Sequence, residues 1–516
     1  MRKSDRRLAL GLFVATVLVG QALFAEALGL TYDEPVYAAV GERHLAWWGR
    51  VLRADAGAWS RDGLERGWGN SGATPVEADW HPPLGKLWLA LWGRCPSPCG
   101  PFARWRLGAT LFFALTATAL FCFLTPRAGR CAGLGAWLAL VTMPRFVADG
   151  NLGALDGAVA CLATLALCAA QRVLERPDRR RGVVYGVLLG AAMATKFNGI
   201  LVAPAVLLVA GVRRRAALRP LALGTFVVAP LVFWLSWPWL WYDGLHHLRQ
   251  VVAFHGRHGL IATSYFGTVY TQPPPPWHYA PVMLAVTTPL LTLASAALGV
   301  RRPLAGLLLA ALACHLLPFL NPSAAKYNGV RLFLPVLPLL AALSGLGLAA
   351  VLAWVRARVK GGPCWVAPTL VALAVYLPAA RGLLGVYPYP LAYYNALVGG
   401  PAGAERRGLE VSYWGDPFRG LVAWLSAHAP RGAEVYLHPP GAIAMVEMYR
   451  AVGLLRKDIR LVHGTEAARR AAFRVYQNRP SEWDELGRGL RARAAPRFVL
   501  TAAGAPVGFV WPGPGS

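Results

Sequence analysis

Apolar runs separated by short polar loops occupy most of the first 381 residues. A hydrocarbon layer about 30 Å thick needs about 20 apolar residues in an α-helix, and the longer runs reach this length. The pattern predicts an all-α polytopic membrane protein with about 11–13 transmembrane helices. We place spans over 8–30, 104–124, 131–148, 152–172, 182–196, 199–212, 219–240, 279–298, 303–320, 331–355 and 364–381.

The loops between these spans alternate in charge. Arg and Lys cluster in every second loop, as in RVLERPDRRRG (172–182) and VRRRAALR (212–219). Because basic loops stay in the cytoplasm, we expect a cytoplasmic N-terminus, the other loops outside, and an inner or plasma membrane location. A basic start followed by an apolar run is also typical of a signal peptide. We favour a retained first helix, since cleavage would leave the acidic pair that follows near a loose terminus.

Two regions of different composition follow from this layout. Residues 1–381 form the predicted transmembrane domain, which includes a large first extracytoplasmic loop over 31–103. Residues 382–516 have a soluble composition, in which strand-like and helix-like segments alternate. This alternation predicts a small extracytoplasmic α/β domain, with strands over 434–438, 459–463 and 497–501 and helices over 418–429 and 466–477.

The composition excludes a soluble enzyme, because 56% of the residues are hydrophobic and only 15% are charged. A formal net charge of +27 would suggest nucleic-acid binding in a soluble chain. Here much of the Arg lies in the loops that the charge rule assigns to the cytoplasm, so we expect no nucleic-acid partner. Of the eight cysteines, only Cys95 and Cys99 share a polar loop, and the sequence leaves open whether they form a disulfide.

An acidic pair, Asp33 and Glu34, follows the first apolar run directly. Carboxylates at the end of a membrane helix are often only solvated surface groups. An ionisable pair at a membrane boundary is nevertheless a candidate site, and a carboxylate there can act as a general base towards an acceptor hydroxyl. We interpret the pair as catalytic.

The same outer loop contains HPPLGK (81–86). Its two prolines break helical structure and force an extended turn, which presents His81 and Lys86 at the membrane surface. A Lys is a natural partner for a phosphate, so we assign both residues to a phosphate site. The alternative is a simple turn whose Lys extends its amine to water.

A third outer segment, PRFVADGNLGALDG, joins spans three and four. Asp156 begins the fourth apolar run, where its ordinary role would be to cap the helix. Beside Asp33 in the same layer, it is alternatively a second acidic group of the site or a ligand of a divalent ion. We assign Asp156 to the catalytic set, and three further polar residues of the segment to the substrate pocket: Arg145, Asp149 and Asn151.

Cations on the outer face oppose the charge rule, and an anionic substrate explains them better than topology does. TKFNG contributes Lys196, and KYNGVR contributes Lys326, Tyr327 and Arg331. We assign the three cations to an anionic substrate and Tyr327 to the pocket. A lone Lys196 is also typical of a helix boundary.

The outer loop 241–278 combines histidines with aromatic residues. The spacing of His246, His247, His255 and His258 matches no standard zinc ligand set. We assign no cofactor, and the sequence leaves open whether a divalent cation takes part. The aromatic residues are typical of an interfacial belt that also covers a lipid substrate, which adds to the predicted pocket Tyr265, Tyr270 and Trp277.

Together these motifs resemble the dolichyl-phosphate-mannose protein mannosyltransferases and their bacterial relatives, including the lipid A aminoarabinose transferases. These are multi-spanning GT-C glycosyltransferases. The resemblance covers residues 8 to about 415, and the tail beyond it matches no family pattern. The matching segments are YDEPVY (32–37), HPPLGK (81–86), FVADGNLGALDG (146–157), TKFNG (195–199), YFGTVY (265–270), PWHYAPVMLAVTTPL (276–290), KYNGVRLFLPVLPLLA (326–341) and YPLAYYNALVGG (389–400).

This resemblance implies a GT-C-type fold and transfer of a sugar from a polyprenyl-phosphate donor to a hydroxyl of a protein, lipid or glycan. It implies that Asp33 is the catalytic base, assisted by Glu34, and that Lys86 and some of the outer cations surround the lipid phosphate. The acidic motif also adds its two tyrosines, Tyr32 and Tyr37, to the predicted pocket.

Two considerations bear on this interpretation. Asp149 and Asn151 stand where many relatives carry His, which counts against a metal at these positions.

The alternative function is a transporter or flippase of lipid-linked sugars. It predicts charged residues near the bilayer midplane and inverted repeats, whereas the ionisable residues of this chain gather at one face.

Overall fold

The computed structural model describes residues 1–70, 79–256, 261–358 and 365–514. Up to residue 406 the described chain is mainly helical, with a short hairpin of β1 (Thr263–Tyr265) and β2 (Thr268–Tyr270). The α-helices are α1 Lys3–Val19, α2 Asp33–Leu52, α3 Arg61–Trp68, α4 Leu84–Trp92, α5 Pro101–Trp105, α6 Leu107–Ala128, α7 Arg130–Val141, α8 Pro144–Asn151, α9 Leu155–Glu175, α10 Arg179–Met193, α11 Val202–Arg213, α12 Leu218–Leu223, α13 Ala229–Ser236, α14 Gly244–Gly256, α15 Tyr279–Thr287, α16 Leu290–Gly299, α17 Ala305–Leu320, α18 Val336–Arg358, α19 Val366–Gly385 and α20 Gly400–Arg406.

Within the described ranges, six helical segments are long and apolar enough to cross a membrane: Lys3–Ala25, Leu107–Ala128, Leu155–Glu175, Arg215–Ser236, Val336–Arg358 and Val366–Gly385. Counting each bent pair as one span raises the number to 8; α7 and α8 meet at 73° and α15 and α16 at 112°. Pro144 and Pro289 stand at these two breaks. Proline lacks the backbone N–H that would continue the helical hydrogen bonds, so each of them interrupts its helix. The three remaining predicted spans are the shorter helices α10, 197–213 and α17. The all-α, multi-pass fold is confirmed.

Small residues bring the central helices close together. Helix α18 packs against α7 and α16, and α6 packs against α7 and α9. A Cβ at Gly345 of α18 would overlap the Ala132 carbonyl of α7, and one at Gly347 would overlap the Ser295 carbonyl of α16. Helices in a bilayer associate through such close backbone approach, and these two glycines let α18 approach α7 and α16 closely.

The C-terminal region forms a five-stranded sheet in the order β4-β3-β5-β7-β6. Strand β3 is parallel to β4 and β5, whereas β7 is antiparallel to β5 and β6. The small C-terminal α/β fold is confirmed. The strands are β3 Glu434–His438, β4 Arg460–Val462, β5 Phe473–Gln477, β6 Phe498–Ala502 and β7 Ala505–Pro512, and the helices are α21 Phe418–His428, α22 Ala442–Ala451, α23 Thr465–Arg470 and α24 Glu485–Arg493.

One local prediction in this region is wrong. The helix expected over 466–477 ends at Arg470, and the following FRVYQ segment is β5. All five residues of β5 are buried between β3 and β7. Pairing on both edges outweighs the helical preference of the surrounding sequence, because strand formation depends on neighbours more than on local propensity.

The predicted first loop and the C-terminal region share a hydrophobic core. The predicted loop 31–103 contains α2, α3, α4 and the start of α5. Its Phe102 and the preceding Leu30 are buried in the hydrophobic cluster formed by α21, α22 and the sheet. The predicted domain boundary at 381/382 falls inside α19, which ends at Gly385. The segment that carries Asp33 therefore leaves the first membrane helix and packs directly against the α/β region.

Candidate active site

Four charged side chains from separate parts of the chain form one ion-pair network. Arg331 binds the Asp33 carboxylate through Nη2 and the Asp156 carboxylate through Nε, the latter at 2.9 Å. The Lys196 amine lies 2.5 Å from the other oxygen of Asp156. The structure thus brings together the acidic motif after the first span, the start of α9, and two of the predicted cations.

Within this network, Asp33 is the side chain most open to solvent. Its exposed fraction is 27%, compared with 9% for Arg331, 13% for Lys196 and 1% for Asp156. Buried charges persist when they are paired and hydrogen-bonded, and Asp156 accepts from both cations. Of the two carboxylates, Asp33 is therefore the one that is open to solvent.

Local structure explains how these groups are aimed. Asp33 is the first residue of α2, where the helix dipole favours a negative charge. Asp156 lies in the first turn of α9, but the N-cap of that helix is Ala154, with no side-chain cap. The capping role considered for Asp156 is therefore not what the structure shows: its oxygens bind cations. Arg331 begins a 3-10 turn just before α18.

Aromatic side chains surround the network. The Arg331 guanidinium lies 3.9 Å from the centre of the Trp414 ring, a favourable cation–π geometry. The Tyr37 hydroxyl is 3.4 Å from Asp33, and its ring stands edge-on to His81 at 6.0 Å. Tyr37 therefore connects the network to the HPPLGK turn.

The HPPLGK turn holds a second charged cluster. Lys86 binds the Asp79 carboxylate and donates to the His81 carbonyl at 2.7 Å, and His81 Nδ1 lies 2.7 Å from Asp79. The Lys86 side chain is only 2% exposed. Burial alone would raise the pKa of Asp79, but the charges and hydrogen bonds of Lys86 and His81 hold it well below its usual range. Burial lowers the pKa of Lys86.

Glu34 points away from the network. Arg106 donates two hydrogen bonds of 2.7 Å to its carboxylate, and the Gly153 amide donates a third, also of 2.7 Å. Arg106 also donates to the carbonyls of Ala25, Leu28 and Gly29. Glu34 and Arg106 are both fully buried, so this pair ties the end of the first membrane segment to α6.

Three predicted pocket residues lie in the protein interior. Arg145 is fully buried and donates to the Tyr413 hydroxyl at 3.0 Å. Asn151 donates to the Val147 carbonyl at 2.8 Å. Both carboxylate oxygens of Asp149 are buried and lack a hydrogen-bond partner within the described ranges. These contacts support the fold around the site, and the assignment of these residues to a pocket stays a prediction.

The other predicted residues have different surroundings. The Lys326 amine donates to the carbonyls of Asn321, Pro322 and Ala324, in the segment that follows α17. Tyr327 is buried. The remaining aromatic residues bind elsewhere or face outward: the Tyr265 hydroxyl bonds to His278, Tyr32 bonds to Gln477, Tyr270 is half-buried, and Trp277 is 57% exposed.

In residues 1–70, 79–256, 261–358 and 365–514, no group of three or more His, Cys, Asp and Glu side chains could hold a metal ion. His258 lies outside these ranges, and His255 has its ring 5.5 Å from that of His81. A role for a divalent cation stays open.

Sequence reasoning missed several residues around the site. Asp79 stands just before HPPLGK, and Arg106 stands just before α6. Because a buried charge needs an oppositely charged partner, the predicted sites at Lys86 and Glu34 were a reason to look for Asp79 and Arg106. Trp414 and Asp416 belong to a tail segment with no recognisable motif. Asp416 is buried, its Oδ1 has no hydrogen-bond partner among the described residues, and burial raises its pKa to about 7.

Comparisons with known proteins agree with this architecture. Residues 81–239 match the model of a family described as dolichyl-phosphate-mannose-protein mannosyltransferase. A search of curated protein sequences finds no match. Among solved structures, ArnT from Cupriavidus metallidurans in the apo state aligns with a TM-score of 0.50 and 16% identity over 97% of each chain.

Two further solved structures align at somewhat lower scores. ArnT from Cupriavidus metallidurans bound to undecaprenyl phosphate has a TM-score of 0.49 and 16% identity, again over 97% of each chain. The apo oligosaccharyltransferase of Archaeoglobus fulgidus has a TM-score of 0.48 and 12% identity, over 91% of this chain and 69% of the other.

The likeness to apo ArnT shows the fold, and the family model adds sequence evidence over the segment that carries His81, Lys86, Asp156 and Lys196. The predicted resemblance is confirmed at this level. The chain is a multi-pass membrane protein with a GT-C-type fold, and over residues 81–239 it is similar to the dolichyl-phosphate-mannose-protein mannosyltransferases.

Proposed function

We propose that this protein is a membrane glycosyltransferase that moves a sugar from a polyprenyl-phosphate donor to a hydroxyl on a protein, lipid or glycan at the extracytoplasmic face. The observation that carries the proposal is the network in which Arg331 joins the accessible Asp33 to the buried Asp156, beside Lys196. The matching family is described by its dolichyl-phosphate-mannose donor, which supports a polyprenyl phosphate as the leaving group.

The two cations fit the charge that such a reaction develops. A polyprenyl-phosphate sugar carries one negative charge on its phosphodiester, and breaking the sugar–oxygen bond leaves a phosphate monoester with up to two. Preorganised cations at the leaving group stabilise that developing charge. Without a donor, Arg331 and Lys196 are balanced by Asp33 and Asp156. A bound phosphate would compete for Arg331 and free Asp33 to act as a base.

Asp33 then has the role of general base. As the acceptor oxygen attacks the anomeric carbon from the side opposite the phosphate, its proton passes to the Asp33 carboxylate. The carbon–oxygen bond to the phosphate breaks with its electron pair remaining on the phosphate oxygen. One displacement of this kind inverts the configuration at the anomeric carbon.

The other two acidic residues receive supporting roles in this proposal. Both oxygens of Asp156 accept from cations and its side chain is 1% exposed, so it positions Lys196 and Arg331. Glu34 is saturated by Arg106 and the Gly153 amide, so we do not assign it to the chemistry. The Lys86 cluster would bind phosphate only after exchanging Asp79 for the donor.

The test is sugar transfer by the purified protein in lipid bilayers, supplied with radiolabelled polyprenyl-phosphate sugars and a membrane extract as acceptor source. Loss of a general base costs about 10²–10⁴-fold in rate, so Asp33→Asn should lose nearly all transfer. Glu42→Gln is the matched control, because Glu42 lies on the same helix in an exposed pair with Arg94. Equal transfer by Asp33→Asn and the parent would contradict the assignment of the base.

A further inference from the structure

We infer that the C-terminal α/β region aligns Asp33, the proposed base, with Arg331, its cationic partner. In this inference Arg479 is the positioning residue for Arg331. This inference rests on the proposed function and deepens it. It concerns residues outside the segment that matches the mannosyltransferase family, because that segment ends at residue 239.

Arg479 follows β5 and reaches the turn that carries Arg331. Its Nη2 donates to the Asn328 side-chain oxygen at 3.2 Å, and its Nη1 donates to the Tyr413 carbonyl at 2.8 Å. The Asn328 carbonyl in turn accepts from the Arg331 amide at 3.3 Å. The α/β region is therefore connected to Arg331 through the Arg479 side chain and Asn328.

The turn itself needs external support. Asn328 has a φ of 54° and Gly329 has a φ of 64°, both in the left-handed region. Asn tolerates this region better than most residues, but the conformation is still unfavourable for a residue with a side chain. Such backbone persists where the surrounding structure over-determines it. The Arg479 bond to Asn328 and the Tyr279 hydroxyl, 3.1 Å from the Gly329 amide, provide that support.

The guanidinium of Arg479 suits a bridging role. It is 3% exposed, and it donates to three separate chain segments: the Ala262 carbonyl, the Asn328 side chain and the Tyr413 carbonyl. Glu482 balances its charge at 3.0 Å. A planar fork of donors can hold three acceptors at fixed angles, which the single amine of a Lys cannot do.

The same region also holds the chain around Asp33. The Leu30 amide donates to the Tyr449 hydroxyl at 2.5 Å, and the Tyr32 side chain is hydrogen-bonded to Gln477 at 2.6 Å. The Tyr32 amide donates to the Trp414 carbonyl at 3.1 Å, while the Trp414 ring stacks on Arg331. The α/β region therefore contacts both the segment before Asp33 and the turn before Arg331.

A positioning role predicts a change in rate rather than in donor affinity. A misplacement of about 1 Å in a catalytic group can lower the rate about 100-fold. Arg479→Gln keeps a polar side chain but loses the fork, so kcat should fall at least about tenfold while the donor KM changes much less. In an Arg331→Lys background the same substitution should have little further effect, because both act through one group.

The test uses the full chain in lipid nanodiscs and combines hydrogen exchange with transfer kinetics. Arg474→Gln is the matched control, since Arg474 is a buried arginine of β5 whose hydrogen bonds, among the described residues, go to the Ala468 and Pro512 carbonyls of its own region. Arg479→Gln should speed amide exchange over 328–334, and Arg474→Gln should not. Asn328→Asp, which keeps the acceptor, should retain kcat, whereas Asn328→Gly should lower it.

Equal exchange over 328–334 in the Arg479→Gln and Arg474→Gln proteins would overturn the inference. So would an Arg479→Gln defect of the same size in the parent and in the Arg331→Lys background. Failure of the proposed function is distinguishable, because it would be seen in the parent as a lack of sugar transfer. The exchange comparison tests whether Arg479 supports the turn that carries Arg331, and it does so without any sugar transfer.

Discussion

Glu34 and Asp33 are neighbours in the chain, and the structure predicts opposite effects when each is neutralised. Glu34→Gln should destabilise the protein while leaving its chemistry intact. Asp33→Asn should abolish the proposed transfer while leaving the protein nearly as stable. The contrast arises because α2 begins between a buried ion pair on one side and an accessible network on the other.

The magnitudes follow from burial and from the bonds that each change breaks. The Glu34 and Arg106 side chains are 1% and 0% exposed, and removing one partner of such a buried pair costs about 3–5 kcal/mol. Asp33 is 27% exposed, and Arg331 keeps its bond to Asp156 when Asp33 is neutralised. The loss of stability there should be on the order of 1 kcal/mol.

Thermal unfolding of both variants in detergent micelles measures the first quantity, and sugar transfer per folded protein measures the second. Glu42→Gln serves again as control, because exposed ion pairs contribute little to stability. Two results would refute the reasoning. One is a Glu34→Gln protein with the same unfolding temperature as the parent. The other is a folded Glu34→Gln protein that has lost transfer, which would return Glu34 to the catalytic set.

Two further predictions concern titrating groups outside the membrane spans. Asp79→Asn should lower the pKa of buried Lys86 further, since the neighbouring carboxylate opposes the effect of burial, and the alkaline fall of the pH–rate profile should move to lower pH; an unchanged profile would show that the Lys86 charge is not needed. Asp416→Asn should make stability less dependent on pH. Because the pKa of the Asp416 carboxyl is raised from 3.8 to about 7 in the folded protein, the protein loses roughly 4 kcal/mol of stability at most as pH rises through that interval. The parent Tm should therefore fall more than the variant Tm between pH 5 and pH 8, and parallel curves would contradict this.

The sequence by itself determined the features that depend on short stretches of chain. Length and hydropathy mark the apolar helices, because a span needs about 20 apolar residues whatever its neighbours are. The motif around Asp33 and the cations Lys196 and Arg331 could be picked out, because charged residues at a membrane boundary need a reason to be there. The small α/β fold at the C-terminus could be read from alternating strand-like and helix-like segments.

Only the tertiary structure decided what each charged residue faces. Asp33 meets Arg331 across 298 residues and Glu34 meets Arg106 across 72, and nothing in the local sequence chooses between these partners. The same holds for β5 within its sheet and for Arg479 beside the Asn328 turn. The physical reason is that a charge is stabilised in the interior only by its actual neighbours. Its role therefore follows from packing between distant segments, which periodicity and local motifs do not encode.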